Sequence, residues 1–189
     1  MASENNLKEH YGPLCKALRI DKKKFFEVRD KYTGLAASGK ISGKKMVSLF
    51  SQDLKIGYQK LLRNWIKYKR KSMKKNLELE NFIENLKKAD YIVASLSNVL
   101  DIHYKVGMEK KIYSPFHFNI MSFDVGFSKP DVRIYRLLLK RLKVPAKNVV
   151  FIDDYQICLD GAKKLGINTI LFKNNKQLVK ALTRLGVKV

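Results

Sequence analysis

Acidic side chains are scarce in this 189-residue chain: 17 Asp and Glu stand against 39 Lys and Arg, a formal net charge of +22. Such a field draws nucleic acid, anionic membranes and phosphorylated small molecules alike, so charge alone selects no partner. Cysteine is nearly absent. Cys15 and Cys158 have neither metal-ligand nor redox spacing, which excludes a disulfide framework and points to a reduced intracellular chain. No apolar run approaches membrane-spanning length, so no membrane span is expected. The polar start MASENNLKEH lacks a signal peptide, and the expected location is cytoplasmic. Internal repeats and low-complexity segments are missing too. With 46% hydrophobic and 11% aromatic residues, the chain is globular and long enough to bury a core.

The basic excess leans toward the N-terminal part. Residues 1–75 hold 20 basic and 6 acidic side chains, and residues 76–189 hold 19 and 11. Residues 60–75, KLLRNWIKYKRKSMKK, contain eight basic residues and no acid. With Trp65 and Tyr68 among them, this segment reads in three ways. It is a nucleic-acid or membrane-surface face, or it is an amphipathic helix that buries Leu61, Leu62, Trp65 and Ile66 and leaves its lysines in water, or, between these, its basic residues help draw in a phosphorylated substrate. The second arrangement is the commoner one.

Periodicity makes the first half helical. Leu7, Tyr11, Leu14, Cys15 and Leu18 form one apolar face, which Pro13 is expected to kink or interrupt. Asp21 is a plausible N-cap for a helix carrying Phe25, Phe26, Val28, Tyr32 and Leu35, and Ser42 for one with Met46, Leu49, Phe50 and Leu54. Gly57 opens a fourth helix. Together these make a small bundle over residues 1–75. A further helix carries Leu77, Leu79, Phe82, Ile83 and Leu86, and near residue 90 the pattern turns strand-like. Parallel strands are expected near 91–96, 118–122, 149–152 and 168–172, flanked by helices.

The most informative stretch is GFSKPDVRIYRLLLKRLKVPAKNVVFIDDYQICLDGAKKLGINTILF, residues 126–172. A Gly-x-x-Lys-Pro-Asp turn leads into a helix with Ile134, Leu137, Leu138 and Leu142 on one side. Val149 to Ile152 form a short apolar run suited to a strand buried on both faces. It ends in Asp153 and Asp154. A second helix, about 156–165, closes at Gly166, and another buried strand runs from Asn168 to Phe172. Strand, helix and strand in this order make a parallel crossover, and the acidic pair then sits at the carboxyl end of a strand, where ligands bind in such sheets.

GFSKPDVRIY, FIDDY and GAKKLGI, in this order and spacing, resemble the haloacid dehalogenase-like (HAD) hydrolase superfamily, in its capped, phosphatase-like form, over about residues 7–182. The resemblance implies an α/β Rossmannoid parallel sheet, residues 76–189, with an N-terminal helical cap bundle at residues 1–75. It also implies hydrolysis of a phosphomonoester with Mg²⁺ as cofactor and a phosphorylated small molecule as partner. By the same resemblance Ser97, followed by Asn98, binds a phosphoryl oxygen; a hydroxyl and adjoining N–H groups at a helix start suit an anion. Without the later motifs Ser-x-Ser-Asn reads only as a helix cap. Lys129 corresponds to the fixed cation that offsets charge on the nucleophile and phosphoryl group. Asp154 corresponds to a direct Mg²⁺ ligand and Asp153 to a supporting or water-mediated one. Two adjacent carboxylates repel, and a hard cation relieves that. The chain departs from the family at Cys158, where the pattern often has Asn. His10, His103 and His117 lack ligand-spaced partners and read as structural or exposed.

The first core strand of the family, with its Asp-x-Asp nucleophile and acid/base motif, has no counterpart in the sequence. Asp124 precedes the lysine turn and does not replace it. In the family that strand is central, between those expected at 91–96 and 149–152, so its absence leaves an open place in the sheet. It lies upstream of Met1, or on a second chain, or the sheet has closed over its loss. The 189 residues alone are therefore expected to lack the family's covalent catalysis. The alternative is a non-catalytic binding module whose basic surface holds nucleic acid or an acidic partner.

Overall fold

The computed structural model describes residues 4–188, with side chains from residue 11 onward, so the expected roles of Leu7 and His10 lie outside the described side chains. The chain runs α1 (Glu4–Leu18), α2 (Lys22–Ala37), α3 (Gly43–Leu54), α4 (Tyr58–Ser72), α5 (Leu77–Lys88), β1 (Ala94–Ser97) and α6 (Asp101–Glu109). It continues with β2 (Phe118–Met121), the single turn α7 (Ser122–Val125), α8 (Val132–Leu142), β3 (Val150–Asp153), α9 (Gln156–Lys163), β4 (Asn168–Leu171) and α10 (Asn175–Arg184). These elements group into two compact units. The first holds the residues through Lys74 with Asn98–Lys111 and Ser122–Gly126; the second holds Lys75–Ser97, Ile112–Met121 and Phe127 onward.

The first unit is all helix. Asp21 caps α2 by accepting from the Lys24 N–H at 2.9 Å, and Ser42 caps α3 by accepting from the Lys45 N–H at 3.1 Å. Its core is aromatic. Phe25 and Phe50 are fully buried, with ring centroids 5.7 Å apart, and Trp65 meets Phe50 edge-on at 5.0 Å. Trp65 Nε1 donates to His103 Nε2 at 2.8 Å, which satisfies two polar atoms inside this core. Pro13 does not interrupt α1. The lost i−4 hydrogen bond is outweighed by burial of Leu14, Cys15 and Leu18 on the far side of the proline. Asp101 Oδ1 accepts from the Gly43 N–H at 2.7 Å, fastening α6 to the start of α3; a Cβ at Gly43 would run into that carboxylate.

The second unit is α/β. Strand β1 pairs in parallel with β2 (Ser97 opposite Met121), and β3 pairs in parallel with β4 (Asp153 opposite Leu171). The two pairs are separate ladders, not one four-stranded sheet. β1 starts at Ala94, not near residue 91. Asp90 takes a left-handed conformation (φ 62°), and the Tyr91 N–H returns to Leu86 O, so residues 89–91 close α5 instead of entering the sheet. Nor is β3 buried on both faces. Phe151 is buried, but Ile152 is 37% exposed, as befits a strand with one hydrogen-bonded neighbour. Gly166, at φ 75°, terminates the α9 turn in the conformation that glycine adopts without strain.

Candidate functional site

The carboxyl end of β3 carries a buried polar arrangement. Lys129 sits in the turn before α8, where its peptide bond to Pro130 is cis and Asp131 caps the helix by accepting from the Arg133 N–H at 2.9 Å. Lys129 Nζ donates to Asp153 Oδ2 at 2.6 Å. Their side chains are only 11% and 7% exposed, so the pair lies largely out of water. The other oxygen, Asp153 Oδ1, accepts from the Tyr155 N–H at 2.9 Å. Lys129 also lies 5.4 Å from the centre of the Phe151 ring, which packs edge-on against Tyr135.

Tyr135 positions this corner, and nothing in the motifs singled it out. Its ring is wholly buried and its hydroxyl donates to Cys158 O at 2.5 Å, tying α8 to α9. Burial raises the pKa of Tyr135 well above its ordinary value, so the phenol stays protonated as a donor. Gly161 lets the two helices meet, since a Cβ there would lie 2.6 Å from Pro130 O and 2.9 Å from Tyr135 Cε2. The one sequence signal for Tyr135 is a hydroxyl-bearing aromatic between Ile134 and Leu138 on an apolar helix side. Cys158, where the family pattern often has Asn, is a buried thiol whose acidity is weakened first by burial and then by the nearby Asp153 charge. It packs against α8 and offers no ligand.

The structure thus brings Lys129 and Asp153 into contact. Asp154, the next residue, is exposed and has no hydrogen-bond or ion-pair partner among the described residues. Ser97 ends β1, partly exposed, and its hydroxyl likewise has no described partner. Asn98 follows directly, exposed, and is grouped with the helical unit. The electrostatic case for a metal at the acidic pair changes accordingly. Asp153 already has its charge balanced by Lys129 and both oxygens engaged, which leaves one carboxylate free. Among the described residues no cluster of three His, Cys, Asp or Glu side chains is poised to hold a metal. Mg²⁺ is commonly held by one or two carboxylates with water and phosphate oxygens completing the shell, so Asp154 fits one such position.

Comparison with known proteins adds the following. A family model described as haloacid dehalogenase-like hydrolase matches residues 14–172. The chain is similar to (S)-2-haloacid dehalogenase 4A of Burkholderia cepacia, with 36% identity over 89 residues, covering 47% of this chain and 38% of that protein. Bifunctional epoxide hydrolase 2 of Sus scrofa shows 39% identity over 69 residues, covering 36% of this chain and 12% of that one. The chain therefore spans well under two thirds of these curated relatives. Among solved structures, a HAD family enzyme from Bacteroides thetaiotaomicron superposes with a TM-score of 0.73 at 18% identity, covering 94% of this chain and 91% of that one. At that identity the likeness is one of fold. The same enzyme has also been crystallised in complex with magnesium and inorganic phosphate.

Proposed function

Because the chain belongs to the haloacid dehalogenase-like hydrolase family, we propose that its α/β unit is the phosphoryl-binding half of a phosphomonoester hydrolase. The observation that carries this reading is the buried Lys129–Asp153 pair at the carboxyl end of β3, with the free carboxylate of Asp154 beside it. A cation held by a buried acid keeps one orientation, so its charge faces an incoming anion without reorganising. Lys129 holds a phosphoryl oxygen, and the Ser97 hydroxyl holds another. Asp153 holds the Lys129 ammonium in place. Asp154 contributes a ligand to Mg²⁺, which when bound offsets phosphoryl charge. In this reading residues 1–75 serve as the cap and residues 76–189 as the core. The setting is the cytosol, which suits two buried free thiols, Cys15 and Cys158.

None of these residues is a nucleophile, and the sequence contains no Asp-x-Asp. We assign that carboxylate to a strand outside the 189 residues, from a preceding segment or a second chain. The two separate parallel ladders and the exposed Ile152 support an added strand, since two-stranded parallel pairs are poorly stable alone. The test is hydrolysis of p-nitrophenyl phosphate with Mg²⁺, using the chain alone and the chain completed by a strand carrying Asp-x-Asp. The chain alone is expected to be inert, and the completed one active and more heat-stable. Turnover by the chain alone, abolished in Asp154→Ala, would overturn the assignment of the nucleophile. A completed chain that is stable but inert would overturn the hydrolase reading.

A further inference from the structure

The outward side of α4, most of the basic segment 60–75, has no part in the site at β3. Between Asp53 and Glu78 the sequence holds no acidic residue, and α4 lies inside that interval. Lys60, Arg63, Lys67, Arg70 and Lys71 recur at helical spacing and are all exposed, and Lys74 follows just past the helix end. Of these, only Arg70 has a described acidic partner, Glu109 at 2.6 Å. Lys60, Arg63, Lys67 and Lys71 therefore present a row of uncompensated cations. From Lys60 to Lys71 the row spans about 16 Å at 1.5 Å per residue, the rise of roughly five base-pair steps.

We propose that this face of α4 binds the phosphate backbone of double-stranded nucleic acid without reading its sequence. Two observations favour a duplex backbone over other polyanionic surfaces. Trp65 is 2% exposed and committed to His103, so the helix offers no free indole on which an unpaired base would stack. The apolar residues of α4 are buried or half-buried in the helical core, with no exposed apolar side chain left to enter a bilayer. The fully exposed residues are mainly cations, which suits binding by counterion release. This binding is independent of phosphoester hydrolysis and of the residues assigned to it.

The test is titration of a fluorescent 20-base-pair DNA duplex with the intact chain at several salt concentrations. Neutralising four or five phosphates predicts a weakening of about 150- to 500-fold between 50 and 200 mM salt (about −0.9 per phosphate in the log–log slope). The triple variant Lys60→Gln, Lys67→Gln and Lys71→Gln is expected to make the slope shallower by about 2 to 3. It is also expected to weaken binding at 50 mM salt by well over tenfold. The matched control removes three exposed lysines from the α/β unit (Lys173→Gln, Lys176→Gln and Lys180→Gln) and is expected to change the slope by less than 1. All six positions are exposed, so circular dichroism melts should be unchanged and any loss is not one of folding. Equal losses in both variants would overturn the proposal, because binding would then follow net charge. Tighter binding to phosphatidylserine vesicles or to a single strand than to the duplex would overturn it too.

Discussion

The helical unit and the α/β unit draw on the same kinds of residue but bury them differently. In the helical unit Phe25, Phe50 and Trp65 interlock, and with Leu14, Met46, Val47, Leu61 and Val106 they supply eight of the twelve largest fully buried side chains among the described residues. The α/β unit supplies four, yet it holds seven of the nine large apolar residues left exposed, among them Ile92, Ile152 and Ile157. Helices satisfy their backbone internally, so a bundle is complete once its apolar stripes face one another. Strands need neighbours on both edges, and two isolated parallel pairs leave edges and side chains open. The difference teaches that one unit is closed upon itself, whereas the other is built to be added to.

The widest gap between the units should appear on truncating their apolar residues. Phe25→Ala removes a ring that meets Tyr11, Phe50 and Trp65, and it should cost about 4 kcal/mol in urea unfolding followed by the emission of Trp65, the only tryptophan. Ile152→Ala, by contrast, should cost about 1 kcal/mol or less, because the side chain is already part-exposed. Equal costs would mean that β3 is buried as tightly as the aromatic core, and the comparison would fail.

Next in size is the buried ion pair. Lys129→Met strands the Asp153 carboxylate in a poorly hydrated corner and should destabilise the α/β unit by about 3 kcal/mol. The double variant Lys129→Met with Asp153→Leu should recover most of that loss, which a double-mutant cycle of denaturation midpoints would show. A neutral single variant would mean that the pair is wetter than its geometry indicates. Asp154→Asn sharpens the point. It should leave stability within about 0.5 kcal/mol while weakening Mg²⁺ binding in calorimetry.

Smaller effects come from two glycines, one per unit. Gly43→Ala presses on Asp101 and Ile102, and Gly161→Ala on Pro130 and Tyr135; each should cost about 1–3 kcal/mol in thermal unfolding. If Gly161→Ala proves markedly cheaper, helices α8 and α9 have room to part, and the α/β unit is looser than the contacts around Tyr135 imply. Smallest is a pH effect. Hydrogen bonding to Arg133 depresses the Asp131 carboxyl to about 2, so its contribution is present above pH 4 and fades as pH falls toward 2. The group is surface-exposed, and the change should be detectable only by comparison with Asp131→Asn in acid melts. NMR titration of Asp131 would check its midpoint directly. Lys31 and Tyr32 depress Asp53 in the helical unit in the same sense.

Much of the fold was legible because it is written locally. Asp21 and Ser42 cap the helices assigned to them, since a side-chain oxygen three residues before a free N–H needs no distant partner. The order of apolar run, helix, Gly166 and apolar run likewise announced the parallel β3–α9–β4 crossover. The candidate site was legible as far as its motif residues went, because Lys129 and Asp153 sit at element ends that the pattern marks. Tyr135 escaped notice, because its role depends on Cys158 O, which lies on another helix.

Periodicity, caps and turn residues determined by themselves where helices and strands form, because each rests on contacts within about one turn of the chain. Only the tertiary structure decided that α1 runs through Pro13, where burial of the next residues outweighs a missing hydrogen bond. It alone decided that His103 is the partner of Trp65, and that Asp153 is held by Lys129 while Asp154 stays free. The strand pairing was decided there as well. An apolar run specifies a strand but not its neighbours, and edge hydrogen bonds form only where another strand arrives in register.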